Sequence, residues 1–325
     1  MDFRTVLSPS SSKIQVNLGD SFVTIGSCFA NSIDQNLKEN KFSSLNNPVG
    51  ILFDPASIAR VLMYALDGSR PTENSYCSIN EAVVNLETHS DTNGKTKEEV
   101  EGIIDGQLSQ LSKALRNTKW LIITFGTSWI YTHISRKLQV ANCHKIPQKE
   151  FEKSLLTHQS TEPLYDDLIK KLRKFNPELQ IIVTVSPVRH VKDTLPLNNL
   201  SKSHLLILSH YLNSTYNHVH YYPSYELVLD DLRDYRFYKT DMLHPTEQAI
   251  DYVWDHFTQS YFSKEALNFL DQWEAIKKAL QHKPFDPFSQ SHQRFVKSTI
   301  ELLKKISPKV DTKEELEALT RQLIV

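Results

Sequence analysis

The chain has 325 residues, of which 40% are hydrophobic and 23% are charged. Its 37 Lys and Arg residues nearly balance its 38 Asp and Glu residues, so no nucleic-acid partner is expected. No apolar stretch approaches the length of a membrane span, and the first residues lack the apolar segment of a secretory signal. Three scattered cysteines fit neither a disulfide framework nor a zinc site. These features predict a soluble globular protein of the cytoplasm with no membrane partner.

Five short apolar runs predict the strands of a buried parallel sheet. Each run is rich in β-branched or aromatic residues. The runs are 22–25, 42–45, 121–125, 181–185 and 219–222. Stretches with helical spacing separate them, at 31–38, 55–66, 97–115, 164–175 and 203–216. This alternation predicts a doubly wound α/β fold in which ligands gather at the carboxyl ends of the strands.

Two segments lie outside this alternation. Residues 88–96 are polar and predict an inserted loop or hairpin, preceded by a small strand over 83–86. After residue 262 the pattern predicts a helix over 263–280, a linker over 283–288 and two helices separated by Ser307-Pro308. We therefore predict an α/β domain over residues 1–262 and a helical C-terminal appendage over 263–325.

A hydroxyl and a thiol meet where the first predicted strand ends, in the sequence Gly-Ser-Cys-Phe-Ala at 26–30. A glycine permits a tight turn, and a following helix directs unpaired N–H groups and its positive end at any oxyanion formed there. Such a turn is suited to display a nucleophile, either Ser27 or Cys28. The alternative is structural, with Ser27 as a helix N-cap and Cys28 in the core.

Asp241 and His244 have the spacing of a carboxylate and a base. Pro245 and the helical pattern over 246–257 predict that His244 lies at a helix entrance, with Pro245 in the first turn. The carboxylate would fix the tautomer of the imidazole and stabilise its protonated form. A serine nucleophile requires such a base. The structural alternatives are an N-cap for Asp241 and a packed surface position for His244.

The motif at 26–30 resembles the one after which the GSCFA family, a branch of the SGNH hydrolase superfamily, is named. Further segments similar to that family follow in order, at 47–53, 124–129, 141–145, 186–190, 223–226 and 241–245. Together with the strand pattern, the resemblance implies a three-layer α/β/α sandwich. Its five-stranded parallel sheet would be SGNH-like or flavodoxin-like, followed by a C-terminal helical extension.

The resemblance also implies a catalytic triad. Ser27 would be the nucleophile, His244 the general base and then acid, and Asp241 the partner that orients it. Cys28 is expected to pack behind Ser27, because neighbouring side chains on a helix point about 100° apart.

An oxyanion hole is implied by the same resemblance. The N–H groups of Ser27 and Gly50 would form part of it. SGNH hydrolases normally supply an asparagine amide two residues after a glycine, and that position, counted from Gly126, is Ser128. Losing one donor typically costs on the order of a hundredfold to a thousandfold in turnover. Either the Ser128 hydroxyl or Asn142 is therefore expected to replace it, and a weak oxyanion hole is the alternative.

Other polar residues of the matching segments are expected to line the substrate cleft, with a solvated rim as the alternative. They are Gly126, Thr127, His144, Lys145, Arg189 and His190. The aromatic residues between 221 and 238 would stack on a sugar ring or simply pack together. No metal or cofactor is expected, since the sequence has no HExxH pair.

The predicted function is that of a serine esterase of SGNH type. It would remove a small O-acyl group, such as acetyl, from a carbohydrate-like or other small-molecule substrate through an acyl-enzyme. An O-acyltransferase with the same triad is one alternative. A non-catalytic module that binds carbohydrate or protein is the other.

Overall fold

The computed structural model describes residues 4–323, and this part of the chain contains eleven strands and ten α-helices. The strands are β1 (Ser21–Gly26), β2 (Ser43–Asn46), β3 (Tyr76–Ile79), β4 (Ala82–Asn85), β5 (Asn93–Gly94), β6 (Trp120–Phe125), β7 (Trp129–His133), β8 (Leu138–Val140), β9 (Phe151–Leu155), β10 (Gln180–Val185) and β11 (Val219–Tyr222). The helices are α1 (Cys28–Glu39), α2 (Pro55–Asp67), α3 (Lys97–Asn117), α4 (His158–Phe175), α5 (Thr194–Thr215), α6 (Ser224–Glu226), α7 (Glu247–Tyr261), α8 (Lys264–Gln281), α9 (Gln290–Ile306) and α10 (Lys313–Thr320). None of the helices within residues 4–323 is both long and apolar enough to cross a membrane.

Five strands form the central parallel sheet, in the spatial order β2-β1-β6-β10-β11. Helices flank this sheet, which confirms the predicted α/β class and all five predicted strands. Numbered within the sheet alone, the order is 2-1-3-4-5, the doubly wound arrangement of flavodoxin-like folds. The strand order reverses between β1 and β6. In such sheets the crevice at this reversal, outside the carboxyl ends of the strands, is the usual ligand site.

Apolar residues bury both faces of the central sheet. On one face, Val23, Ile123 and Val183 pack into a core with residues of α2, α3, α4 and α5. On the other face, Phe22 and Trp120 are also buried. A strand covered on both sides needs apolar residues at nearly every position, and for that reason the strands were readable as short continuous runs.

Two small antiparallel sheets accompany the central one. In the sheet β3-β4-β5, β5 lies within the predicted insertion at 88–96, β4 is close to the small strand predicted over 83–86, and β3 was not predicted. The sheet β8-β7-β9 was not predicted. In β9 only Phe151 is buried and the next three residues are exposed, so its sequence lacks the alternation of a half-buried strand.

The chain divides into two compact units. Within the described residues, the first contains 4–7, 21–35 and 44–254, and the second contains 8–20, 36–43 and 255–323. The second unit has an aromatic core, in which the rings of Phe42 and Phe262 lie 5.1 Å apart. There the indole N–H of Trp273 donates to the carbonyl oxygen of Glu39 at 2.7 Å. The predicted C-terminal helical region is therefore present, as α8, α9 and α10.

Candidate active site

The chain turns sharply from β1 into α1 at Gly26. This residue has a φ of +135°, and a Cβ atom here would overlap the carbonyl oxygen of Thr124, so the turn requires glycine. The N–H of Gly26 donates to the Asn47 side chain at 2.8 Å, and the N–H of Ser27 donates to the Thr124 oxygen at 3.0 Å. These two hydrogen bonds fix the turn, and with it the directions of the Ser27 and Cys28 side chains.

The hydroxyl of Ser27 is buried beside β6. Within residues 4–323 its Oγ atom has no hydrogen-bond partner. A Cβ atom built on Gly126 would lie 3.1 Å from the Ser27 Cβ atom, so these two residues are in close contact. The hydroxyl therefore neither caps α1 nor contacts His244 here. The nucleophilic role of Ser27 stays a prediction.

The thiol of Cys28 is the group that contacts the histidine. Its Sγ atom lies 3.8 Å from the Nε2 atom of His244. Cys28 is half-buried and is the first residue of α1. The expectation that Cys28 packs behind Ser27 is wrong: the turn places Ser27 against Gly126, and the next side chain faces the loop that carries His244.

Asp241 holds the other side of the His244 ring. One of its carboxylate oxygens accepts the N–H groups of Leu243 and His244 at 2.8 and 3.0 Å. The other lies 2.6 Å from the Nδ1 atom of His244. These backbone donors, together with the ring, lower the pKa of Asp241 to about 2. Since an ionised carboxylate only accepts, Nδ1 carries the ring proton and Nε2 presents its lone pair to Cys28.

A tight loop fixes the position of this pair. The N–H of Lys239 donates to the His244 carbonyl oxygen at 2.7 Å, and Tyr238 forms a β-bridge with Pro245. Helix α7 begins two residues after Pro245, with Thr246 between them. The predicted location of Pro245 in the first helical turn is therefore wrong, although His244 does lie at the entrance of the helix.

Family models indicate the same family as the motif at this turn. A model of the GSCFA family matches residues 21–257, and a model of the C-terminal domain of GSCFA domain proteins matches residues 273–325. The chain belongs to the GSCFA family. No curated protein matches its sequence. The GSCFA match covers every residue of the candidate site.

The environment of Cys28 in this GSCFA motif favours a neutral thiol at rest. Burial raises the pKa of Cys28, while Lys202 and the N–H groups of Cys28 and Phe29 act in the opposite direction. Neither N–H group has a backbone acceptor in the part of the chain that the structure describes. Both belong to the first turn of α1, where N–H groups lack intrahelical partners. Both act on the sulfur, and they are unpaired N–H groups of the kind that the sequence predicted at the start of this helix.

Three predicted oxyanion donors, Ser27, Gly50 and Ser128, are already bonded within the protein. The N–H of Gly50 donates to the Asn47 carbonyl oxygen at 2.8 Å, just as that of Ser27 donates to the sheet. Ser128 is buried, and its N–H and hydroxyl both bond to Ser201, at 2.7 and 3.0 Å. Their roles in an oxyanion hole stay predictions, and each would require one of these bonds to break.

The segment that contains Asn142 forms a turn with contacts of its own. The side-chain oxygen of Asn142 accepts the His144 N–H at 2.8 Å. The buried ring of His144 lies with Nε2 2.9 Å from the Asn85 carbonyl oxygen, and burial lowers its pKa. Lys145 is exposed on the same turn. The structure shows no contact of these three GSCFA-segment residues with Cys28 or His244 among the described residues.

Several predicted cleft residues gather around Phe53. Its carbonyl oxygen accepts the N–H groups of Gly126 and Thr127 at 2.8 and 3.1 Å. Its ring packs edge-to-face on His190, with centroids 5.8 Å apart. Burial, followed by the nearby charges of Lys202, His244 and Lys153, lowers the pKa of His190 to about 4. His190 is therefore neutral at pH 7 and close enough to His244 to sense its charge.

Arg189 lies against an aromatic pair next to the histidine loop. Its guanidinium carbon lies 4.4 Å from the ring centroid of Tyr238 and 5.4 Å from that of Tyr235. Because Tyr238 pairs with Pro245, this cation lies on the His244 side of the site. The tyrosines hold the guanidinium by cation–π contacts, so part of the predicted aromatic cluster packs on a cation.

Sequence reasoning missed Lys202, on α5. This lysine is buried, and its Nζ atom donates to the carbonyl oxygens of Gly126 and Ser186 at 2.6 and 2.7 Å. Burial lowers its pKa to about 7. The helical spacing could have indicated that Lys202 is buried, because it lies on the same face of α5 as the buried residues Leu205 and Ser209.

Proposed function

We propose that this chain catalyses acyl transfer from small esters to water, with the Cys28 thiol as nucleophile. The observation that carries the proposal is the contact between Cys28 Sγ and His244 Nε2, on a ring whose other nitrogen is held by Asp241. A nucleophile, a base within reach of it and a group that orients the base are the parts that nucleophilic catalysis requires.

The reaction begins when His244 accepts the thiol proton at Nε2 and the sulfur attacks the ester carbonyl carbon. The carbonyl oxygen becomes an oxyanion, which the N–H groups of Cys28 and Phe29 stabilise at the start of α1. The carbon–oxygen bond to the alcohol then breaks, and His244 returns the proton to the leaving alcohol. A thioester on Cys28 remains.

Water completes the cycle. His244 again accepts a proton at Nε2, now from a water molecule that attacks the thioester carbonyl. Collapse of the second tetrahedral intermediate releases the acid and returns the proton to the sulfur. Asp241, with a pKa lowered to about 2 by its backbone donors and the ring, stays ionised and stabilises the imidazolium in both halves.

Membership of the SGNH superfamily is part of this proposal. Two features support it, namely the 2-1-3-4-5 order of the parallel sheet and the Asp-x-x-His turn near the end of the α/β unit. The substrate class follows from the same resemblance: a small O-acyl ester, such as an acetyl group on a carbohydrate-like molecule. Arg189 and the two tyrosines that hold it are the residues that we propose to contact such a substrate, because Tyr238 pairs with Pro245 beside His244.

A serine esterase acting through Ser27 is the form of this function that the sequence predicted. The buried Ser27 hydroxyl has no hydrogen-bond partner among the described residues, and Ser27 packs against Gly126, the residue after β6. It would have to leave this position to reach His244. Cys28 already has that contact, so the geometry favours the thiol.

Steady-state hydrolysis of a short-chain aryl ester tests the proposal on the full chain and two variants. Cys28→Ala should lower kcat/KM by about a thousandfold or more, since the nucleophile is lost, while Ser27→Ala should stay within about threefold of the parent. The reverse order of effects would assign the reaction to Ser27. No hydrolysis by the parent chain, or equal rates in all three proteins, would overturn the enzymatic proposal in favour of a binding module.

A further inference from the structure

Lys202 links two strand ends of the central sheet directly behind the GSCFA turn. Its Nζ atom bonds to the carbonyl oxygen of Gly126, after β6, and to that of Ser186, after β10. Gly126 in turn is in contact with Ser27, the residue before Cys28. An ammonium group has three N–H donors, so these two bonds leave one further donor. The cation thus lies at the carboxyl edge of the sheet and is linked to Cys28 through Gly126 and Ser27.

No carboxylate forms an ion pair with Lys202 in the described part of the chain. A buried lysine without an acidic partner is unfavourable for folding, because burial penalises its charged form. Neutral donors could form hydrogen bonds to the Gly126 and Ser186 carbonyl oxygens equally well. Because a buried lysine destabilises the folded chain, its presence here indicates that the charge itself has a function.

The titratable groups that face Lys202 come from different elements. Cys28 lies on α1, and His190 lies on the loop after β10. His244 contacts Cys28 from the loop before α7, and Lys153, on β9, also acts on His190. Of these, only Cys28 becomes negative during the proposed reaction.

We propose that Lys202 is the internal counter-cation of the site, which becomes fully charged as negative charge forms at Cys28 and so stabilises that charge. The inference rests on the proposed assignment of Cys28. Lys202 acts through electrostatics and through the Gly126 carbonyl, and it is therefore a positioning residue. Burial lowers its pKa to about 7, which keeps its proton exchangeable at neutral pH, and Cys28 shifts that pKa back upward.

The pH dependence of Cys28 alkylation by iodoacetamide tests this proposal. Rates are measured on the full chain from pH 6 to pH 11, with the modified cysteine located by peptide mapping so that Cys77 and Cys143 are counted separately. Lys202→Met removes the charge and both hydrogen bonds but keeps the length of the side chain. Ser201→Ala, the neighbouring residue on α5, removes hydrogen bonds to Thr127 and Ser128 without removing a charge, and serves as the matched control.

In Lys202→Met the rate of Cys28 alkylation at pH 6 should fall by about tenfold, since an opposite charge nearby typically lowers a thiol pKa by about one unit or more. At pH 9 and above the parent and Lys202→Met should react at equal rates, because Lys202, with its pKa lowered to about 7, is neutral there. Ser201→Ala should follow the parent at every pH. Equal rates in the parent and Lys202→Met at pH 6 would overturn the proposal and leave Lys202 with a structural role only. Because alkylation needs no ester turnover, a slower rate in Lys202→Met at pH 6, in a chain that hydrolyses no ester, would reject the proposed function and retain the counter-cation.

A second measurement covers the case in which Lys202→Met does not fold. Lysine labelled with ¹³C reports the titration of Lys202 by NMR in the parent and in Cys28→Asp, which carries a fixed negative charge. The Lys202 midpoint should rise by about one pH unit in Cys28→Asp, because coupling between two sites is reciprocal. An unchanged midpoint would overturn the proposal.

Discussion

The Nε2 atom of His244 lies 3.8 Å from the Sγ atom of Cys28. This contact joins the start of α1 to the loop before α7, two segments separated by more than two hundred residues of the chain. It also distinguishes between the two adjacent candidates of the GSCFA motif, because the Ser27 hydroxyl has no partner among the described residues. The choice of nucleophile therefore depends on how one turn orients two neighbouring side chains.

Replacing Asp241 with Asn should lower kcat/KM for ester hydrolysis by about a hundredfold or more. The amide oxygen can still accept the Leu243 and His244 N–H groups, but its NH₂ group would donate to Nδ1. The ring proton would then move to Nε2, the atom that must accept the thiol proton. Steady-state kinetics on the purified variant measures the loss.

Asp234→Asn is the matched control for this change. Asp234 also accepts a backbone N–H, that of Arg236 at 2.9 Å, but its ion-pair partner is an arginine and not a histidine. This control should keep the activity of the parent. A loss of equal size in both variants would show that the carboxylates only shape the loop, and would contradict the tautomer argument.

Gly26→Ala should lower the free energy of unfolding by about 3 kcal/mol. The residue has a φ of +135°, and its new Cβ atom would overlap the backbone oxygen of Thr124, which cannot move without disturbing β6. Urea denaturation measures the effect. In Gly102→Ala, inside α3, a Cβ atom meets nothing within 4 Å, so that control should gain about 0.5–1 kcal/mol. A Gly26→Ala protein as stable as the parent would mean that the turn is not built as described.

Ser27→Ala should leave the free energy of unfolding unchanged or raise it by up to about 1 kcal/mol. Its hydroxyl is buried without a partner, so its removal relieves an unsatisfied polar group. Ser201→Ala provides the contrast, because the Ser201 hydroxyl accepts the Ser128 N–H at 2.7 Å and its loss strands a buried donor. That variant should lose about 1–3 kcal/mol. If Ser27→Ala were destabilised as much as Ser201→Ala, the Ser27 hydroxyl would have a bond that the structure does not show.

Lys202 should make the stability of the parent chain depend on pH above neutrality. Its folded pKa is lowered to about 7 from an ordinary value of 10.5, so between these values the unfolded state holds a proton that the folded state does not. Stability therefore rises with pH across this window, by up to about 1.4 kcal/mol per pH unit, and the penalty of burial is constant below pH 7.

Urea denaturation of the parent and of Lys202→Met at several pH values between 6 and 10 measures this slope. The difference between the two proteins should change across the window in favour of the parent as the pH rises. The difference between the parent and Ser201→Ala should stay flat. A flat difference for Lys202→Met as well would mean that Lys202 keeps its ordinary pKa in the folded chain.

The sequence predicted the central sheet because its strands are buried on both sides. Runs such as Leu121 to Phe125 are apolar at nearly every position, and no tertiary information is needed to recognise them. The antiparallel sheet β8-β7-β9 escaped prediction, since β7 and β8 are short and mix partly and fully buried residues, while β9 is mostly exposed. Those strands are stabilised by pairing with each other, which a single sequence does not display.

Within the candidate site, the sequence likewise predicted a local contact but not the long-range arrangement of the side chains. The contact between Asp241 and His244 was predictable, because residues three positions apart on one turn are neighbours whatever the rest of the fold does. The orientation of Cys28 was not, since it follows from the positive φ of Gly26 and the contact of Ser27 with Gly126. Lys202 was hidden for a further reason: a lysine in a helix is usually exposed, and only its position on the buried stripe of α5 distinguishes it.

Trapping the acyl-enzyme identifies the nucleophile. The full chain is mixed with an excess of a short-chain aryl ester, quenched in acid during the first turnover, digested and mapped by mass spectrometry. We expect one acyl group on Cys28, held as a thioester that hydroxylamine removes at neutral pH, and no acyl group in the Cys28→Ala variant. An acyl group on Ser27, or a chain that carries none while the ester is hydrolysed, would contradict it.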